Sequence, residues 1–192
     1  MTIIAVGDSL VAGYGVAANE NWCYLLRSLY GFNIINKGVN GDTTSGVLSR
    51  IYGDVLSKGP EYCLLMIGSN DIMINRPMEN IVDNITFLLK ELKDNKITPI
   101  VCIAPEVVPS MAARLWSSEI DYYLVNLKLK ELRNELLSYA KENSLTVIDF
   151  SSIFSSFSDE EINRYYVDGI HLNKEGNALM ASLAQNILKE CI

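Results

Sequence analysis

His171 is the only histidine in the chain, and Asp168 stands three residues before it in Asp168-Gly169-Ile170-His171. On a turn, that spacing lets a carboxylate accept the imidazole Nδ1–H and leave Nε2 free as a base. The plainer alternative is that Asp168 caps the turn and His171 merely packs. Spacing alone does not choose between them. Ser9, in Gly7-Asp8-Ser9-Leu10, carries the same ambiguity. A serine after a strand is often only a helix N-cap, yet a helix start also offers backbone N–H groups that favour developing negative charge. A serine hydroxyl is a weak nucleophile until a base removes its proton, and His171 is the only histidine available to do so. Acyl transfer further needs donors aimed at the oxyanion. Gly41 can offer a backbone N–H that substrate approaches closely because no Cβ intervenes. Asn70 can offer its side-chain amide, and Ser9 its own N–H. Singly, Gly41 reads as a turn glycine and Asn70 as a turn-former.

The elements that must position these residues are visible as an alternation. Short, almost wholly apolar runs at Thr2–Val6, Phe32–Asn36, Tyr62–Ile67, Ile97–Ile103 and Leu145–Phe150 are patterned as parallel strands covered on both faces. Between them lie stretches with helical spacing. Val47, Leu48, Ile51, Val55 and Leu56 share one face behind the candidate caps Asp42, Thr43 and Thr44. Met78 to Leu92 repeats the pattern after Pro77, which suits a first-turn position. Leu124, Leu127, Leu132, Leu136 and Leu137 predict an inward stripe on a long helix over roughly Glu119–Glu142. Leu179, Leu183, Ile187 and Leu188 predict another after Asn173. This β-α-β-α order implies right-handed crossovers and a three-layer α/β/α sandwich. Ligands in such folds bind at the carboxyl ends of the strands. The Ser9, Gly41, Asn70 and Asp168–His171 segments all fall there, and a shared site accounts for them more economically than four separate turns.

Composition narrows the field of functions. The chain has 192 residues, 49% hydrophobic and 20% charged, which predicts one domain over residues 1–192 with an ample core. Sixteen basic residues against 23 acidic give a net charge of −7. That balance argues against phosphate backbones and anionic membranes as partners. The longest apolar run, Tyr62–Ile67, is far too short to span a bilayer. The four cysteines are scattered without a CxxC pair, and Cys63 and Cys102 sit in strand-like runs as small hydrophobes. With one histidine they build no zinc site. No signal-peptide pattern opens the sequence, and a cytoplasmic location is the expectation.

The blocks Gly7-Asp8-Ser9-Leu10, Gly38 with Gly41-Asp42-Thr43-Thr44, Gly68-x-Asn70-Asp71 and Asp168-x-x-His171, in this order and spacing, resemble the GDSL, or SGNH, hydrolase family. The resemblance implies a flavodoxin-like fold of about five parallel strands and hydrolysis of esters or thioesters with no cofactor and no metal. Carried onto this chain, Ser9 looks like the nucleophile, His171 the base and then the acid, and Asp168 its orienting partner. The Ser9 and Gly41 N–H groups and the Asn70 amide look like the oxyanion hole. Asp8 and Asp71 read as groups that fix the loops.

Substrate is harder to read. Ala104–Ser118 contains Val107, Val108, Met111, Leu115 and Trp116, unusually apolar for a connection. It forms either an acyl-binding wall or lid or a short extra helix packed into the core. On the first reading Leu10, Val108 and Met111 contact substrate. The family's thioesterase and lysophospholipase members share this size and second block, which points to acyl esters, thioesters or lysophospholipids. Aromatic platforms at Tyr14, Trp116, Tyr165 or Tyr166 would favour an acetylated sugar instead. From another class, a catalytically silent binding module is the alternative, although no P-loop or GxGxxG follows any strand. Oligomeric state is not legible.

Overall fold

The computed structural model describes residues 1–192 apart from the side chain of Asp159. Five parallel strands form its sheet: β1 (Ile3–Gly7), β2 (Ile34–Gly38), β3 (Tyr62–Met66), β4 (Thr98–Ile103) and β5 (Thr146–Asp149), in the order β2-β1-β3-β4-β5. Each predicted strand is present, shifted by no more than two residues at either end. The chain passes from β1 to β2 on one side and then crosses to β3 on the other. The loop after β1 is therefore the switch point of the sheet, where diverging connections open a crevice.

The strands explain the apolar runs. Successive side chains point to opposite faces: Ile4, Val6, Cys63, Leu65, Val101 and Ile103 join one core, while Ile3, Ala5, Leu64, Met66, Ile100 and Cys102 join the other. The first core is closed by α3 (Thr44–Asp54), α5 (Met78–Asp94) and α7 (Tyr122–Glu142), and the second by α1 (Ser9–Ala12), α2 (Trp22–Tyr30) and α9 (Lys174–Cys191). Short helices α4 (Ser69–Met73), α6 (Pro109–Leu115) and α8 (Asp159–Ile162) complete the set. Cys63 and Cys102 are buried as expected. Burial pushes the Cys63 thiol up to about 12, which leaves it protonated and inert at neutral pH.

Several helix readings needed correction. Thr43 alone caps α3, its hydroxyl accepting from the Gly46 N–H at 3.2 Å. Pro77 sits at the N-cap of α5 rather than in its first turn. On α7, Leu124 and Leu127 are 44% and 64% exposed. The buried stripe is Tyr122, Val125, Leu129, Leu132, Leu136 and Ala140, whose three-and-four spacing places Leu124 and Leu127 on the opposite flank. Leucine abundance misled where phase decided. On α9, the innermost residues include Ala181 and Ala184. The predicted Leu179, Leu183 and Ile187 lie partly buried beside them, because small side chains let α9 lie close on α2. The apolar Ala104–Ser118 connection is built around α6, with Val107, Val108 and Ala112 buried. Of the two readings of that segment, the packed extra helix describes the backbone.

Candidate active site

Ser9 begins α1 at the switch point, directly after β1. A close approach makes this possible: a Cβ on Gly38 of the neighbouring strand would lie 2.2 Å from the Ala12 backbone nitrogen. Only glycine admits α1 at the end of β2. The Asp8 carboxylate caps α1, accepting from the Leu10 N–H at 3.0 Å. From the far end of the sequence, the turn before α9 delivers His171. Its Nε2 lies 2.9 Å from the Ser9 hydroxyl oxygen and its Nδ1 lies 2.7 Å from Asp168 Oδ2. The second Asp168 oxygen accepts from the Ile170 and His171 backbone N–H groups at 2.9 and 2.8 Å. Asp168 thus orients the ring and closes the turn at once. All three residues are buried. Burial raises the Asp168 carboxyl, but hydrogen bonds from the His171 ring and from the two backbone N–H groups outweigh it and hold the group below its ordinary range.

Gly169 makes the turn fit. Its φ is +91°, and a Cβ there would meet the Ala112 nitrogen at 2.4 Å and the Val108 oxygen at 2.8 Å. In turn the Val108 N–H donates to the Gly169 carbonyl at 2.7 Å. The connection before α6 is therefore sewn to the turn that carries His171. Asn126 of α7 fixes the connection from behind, exchanging two 2.9 Å hydrogen bonds with the Val107 backbone.

The loops after β2 and β3 flank Ser9 because their strands flank β1. Asn70 donates through Nδ2 to the Asp42 carbonyl at 2.9 Å, which joins its amide to the residue beside Gly41 and leaves one amide proton for a ligand. Neither the Ser9 nor the Gly41 backbone N–H has an intramolecular acceptor among the described residues. Asp71 is fully buried and accepts from the Thr44 N–H and hydroxyl, both at 2.8 Å, while Arg76 pairs with it at 3.1 Å. It ties the third block to the second, as its reading as a loop-fixing group anticipated.

Sequence reasoning missed Arg50. From α3 its guanidinium reaches Asp42 Oδ2 at 2.7 Å, the Lys37 carbonyl at 2.8 Å and the Gly7 carbonyl at 3.0 Å. One side chain therefore binds the ends of β1 and β2 and the loop carrying Gly41, using the fork of donors that only arginine has. The available signal was its spacing: Arg50 lies three residues after the buried Val47, at the edge of the inward face of α3.

Among the aromatic candidates, Tyr14 and Trp116 lie against the His171 ring, with centroids 4.4 and 5.1 Å from it. Tyr165 and Tyr166 instead pack with Phe154. Leu10 and Val108 belong to the second core, 8% and 9% exposed, and Met111 packs partly buried against it. Val108 also lines a groove of about 1060 Å³ with Leu127, Phe154 and Tyr166, a lining that includes none of Ser9, Asn70 and His171.

The chain has counterparts among known proteins. Residues 5–179 match the GDSL-like Lipase/Acylhydrolase family. The chain belongs to that family. An arylesterase from Vibrio mimicus is 27% identical over 126 residues, 63% of this chain and 62% of that protein. The Escherichia coli protein named thioesterase 1/protease 1/lysophospholipase L1 is 26% identical over 102 residues, 52% of this chain and 49% of that one. The chain thus aligns with less than two thirds of the length of these relatives. A member of the lipolytic G-D-S-L family from Veillonella parvula superposes with a TM-score of 0.82 at 24% identity, covering 98% of both chains. Family membership and the parallel five-stranded fold agree with the resemblance read from the four blocks.

Asp8 shows what the family's first block costs. Burial pushes its carboxyl up to about 6 from 3.8, against the pull of the Leu10 N–H and His171, with the Asp42 and Asp71 charges adding to the rise. A folded-state value above the unfolded one means that the protonated form suits the fold. The associated stability is complete below 3.8 and lost as pH rises through about 6. Asp8→Asn keeps an oxygen for Leu10 and removes the buried charge. It is expected to raise stability at pH 8 by about 1–3 kcal/mol, with the gain vanishing near pH 4. Denaturant titrations at both pH values check this; an equal gain at both would sink the buried-charge explanation.

Proposed function

We propose that the protein hydrolyses carboxylic esters or thioesters through an acyl-Ser9 intermediate. The observation that carries this reading is the unbroken chain from the Ser9 hydroxyl through both nitrogens of His171 to Asp168, at 2.9 and 2.7 Å. His171 Nε2 takes the hydroxyl proton as Ser9 attacks the carbonyl carbon, and Asp168 stabilises the imidazolium that forms. The carbonyl oxygen becomes an oxyanion received by the Ser9 and Gly41 N–H groups and the free Asn70 amide proton. His171 then protonates the departing alcohol or thiol. In the second half, water attacks the acyl group with His171 as base, and Ser9 is regenerated. The names of the curated relatives, an arylesterase and a thioesterase with lysophospholipase activity, support an ester or thioester as substrate.

Hydrolysis of p-nitrophenyl esters from acetyl to long acyl tests the reading. Turnover is expected in the wild type and absent in Ser9→Ala. No turnover, together with no labelling of Ser9 by a phosphonate probe, would refute it. Asn70→Ala is expected to lower kcat about 10²- to 10³-fold with little change in KM, since an oxyanion donor acts chiefly in the transition state.

A further inference from the structure

Resting on the ester-hydrolase reading, we propose that Tyr14 and Trp116 form the subsite for the alcohol part of the ester and select alcohols that carry a flat ring face. The placement follows from proton traffic. The nitrogen that takes the Ser9 proton must next give it to the leaving oxygen, so the departing alcohol occupies the space beside the His171 ring. The aromatic rings bordering His171 are Tyr14, with centroids 4.4 Å apart and planes at 42°, and Trp116, at 5.1 Å and 55°. They meet each other edge to face, 5.7 Å apart at 81°.

Burial separates this pair from ordinary core packing. His171 is 4% exposed, whereas Tyr14 and Trp116 are 41% and 47% exposed. Two large aromatic surfaces are thus held open to solvent beside a buried base. Their backbones are anchored to the segments that carry the reacting groups. The Tyr14 N–H donates to the Ser9 carbonyl at 3.1 Å, and the Trp116 N–H donates to the Ala112 carbonyl at 2.9 Å. Ala112 lies on α6, whose entry is tied to Gly169. The pair is preorganised, and its exposed aromatic surface suits packing against a ring. A flexible alkyl chain offers no matching face. An aryl ring and the C–H face of a pyranose both do.

The test holds the acyl group constant and varies the alcohol: benzyl acetate, n-heptyl acetate and a mono-O-acetylated methyl xyloside, whose more acidic leaving hydroxyl is controlled by comparing each ratio with that of the variants. The wild type is expected to show kcat/KM for at least one ring ester about tenfold above the heptyl ester. A preference for benzyl acetate identifies an alcohol carrying an aromatic ring, and one for the xyloside identifies a sugar. In Trp116→Ala and Tyr14→Ala the ring-to-alkyl ratio is expected to fall toward one, with Trp116→Phe retaining part of it. Wild-type ratios near one for both ring esters overturn the proposal without recourse to any variant. A ratio unchanged in both alanine variants overturns it as well, since the rings would then only pack His171. Failure of the underlying reading looks different: none of the three esters would be cleaved above the Ser9→Ala background, and both inferences would fall.

Discussion

Ser9→Ala, His171→Ala and the double variant are expected to lose kcat by about the same factor, roughly 10⁵ to 10⁶. The reason lies in the shared proton. Without His171, the Ser9 hydroxyl has no base within hydrogen-bond reach; without Ser9, the imidazole at 2.9 Å has no nucleophile to activate. Either loss disables the same step, so the second adds almost nothing. What remains in all three is the binding of substrate and the oxyanion donors. Steady-state rates on one p-nitrophenyl ester decide the matter, and losses that multiply would break the relay. Melting curves guard against misfolding, because removing the buried ring of His171 opens space beside Asp168 and Tyr14. His171→Gln, which fills more of that space, serves as the second probe and is expected to be equally inactive.

The site was more legible in the sequence than the packing around it. Ser9, Gly41 and Asn70 follow β1, β2 and β3 by two to four residues, so strand order brought their segments to one edge, while Asp168–His171 reaches it from the turn before α9. Asp168 and His171 were further constrained by local spacing. Arg50 escaped because it reaches from the middle of α3 to the ends of two strands and one loop, and no local pattern reports such a reach. Tyr14 and Trp116 were two of four aromatic candidates. What distinguished them from Tyr165 and Tyr166 is long-range: Tyr14 follows α1, which starts at Ser9, and Trp116 ends α6, whose entry is tied to the His171 turn by the bond from Val108 to Gly169. The four helices read from periodicity are present as α3, α5, α7 and α9, whereas α2 was not read, and helix phase was not plain. Leu124 and Leu127 are exposed because Tyr122, Val125 and Leu129 set the buried stripe, and every leucine matches the greasy pattern equally well.

Asp168→Asn is expected to leave the fold intact and lower kcat about 10⁴-fold. The amide oxygen can take over the two hydrogen bonds from the Ile170 and His171 N–H groups, which preserves the turn. The change falls on the other atom. Where the carboxylate accepts from Nδ1 at 2.7 Å, an amide NH₂ donates. His171 must then carry its proton on Nε2, the nitrogen facing Ser9, and a protonated Nε2 cannot accept from the hydroxyl. The variant is thus expected to fail through the tautomer rather than through misplacement of the ring. Asp168→Ala separates the two, since it also frees the backbone N–H groups and is expected to lower the melting temperature. Stability should follow pH accordingly. The Asp168 carboxyl is held below its ordinary 3.8, so the stabilisation it contributes is present above that value and lost as pH falls through the depressed one. The stability gap between wild type and Asp168→Ala is therefore expected to narrow on acidification. NMR of the His171 ring nitrogens would test the tautomer directly: protonation at Nδ1 in the wild type and at Nε2 in Asp168→Asn is the expected result, and Nδ1–H in both would remove Asp168 from the orienting role.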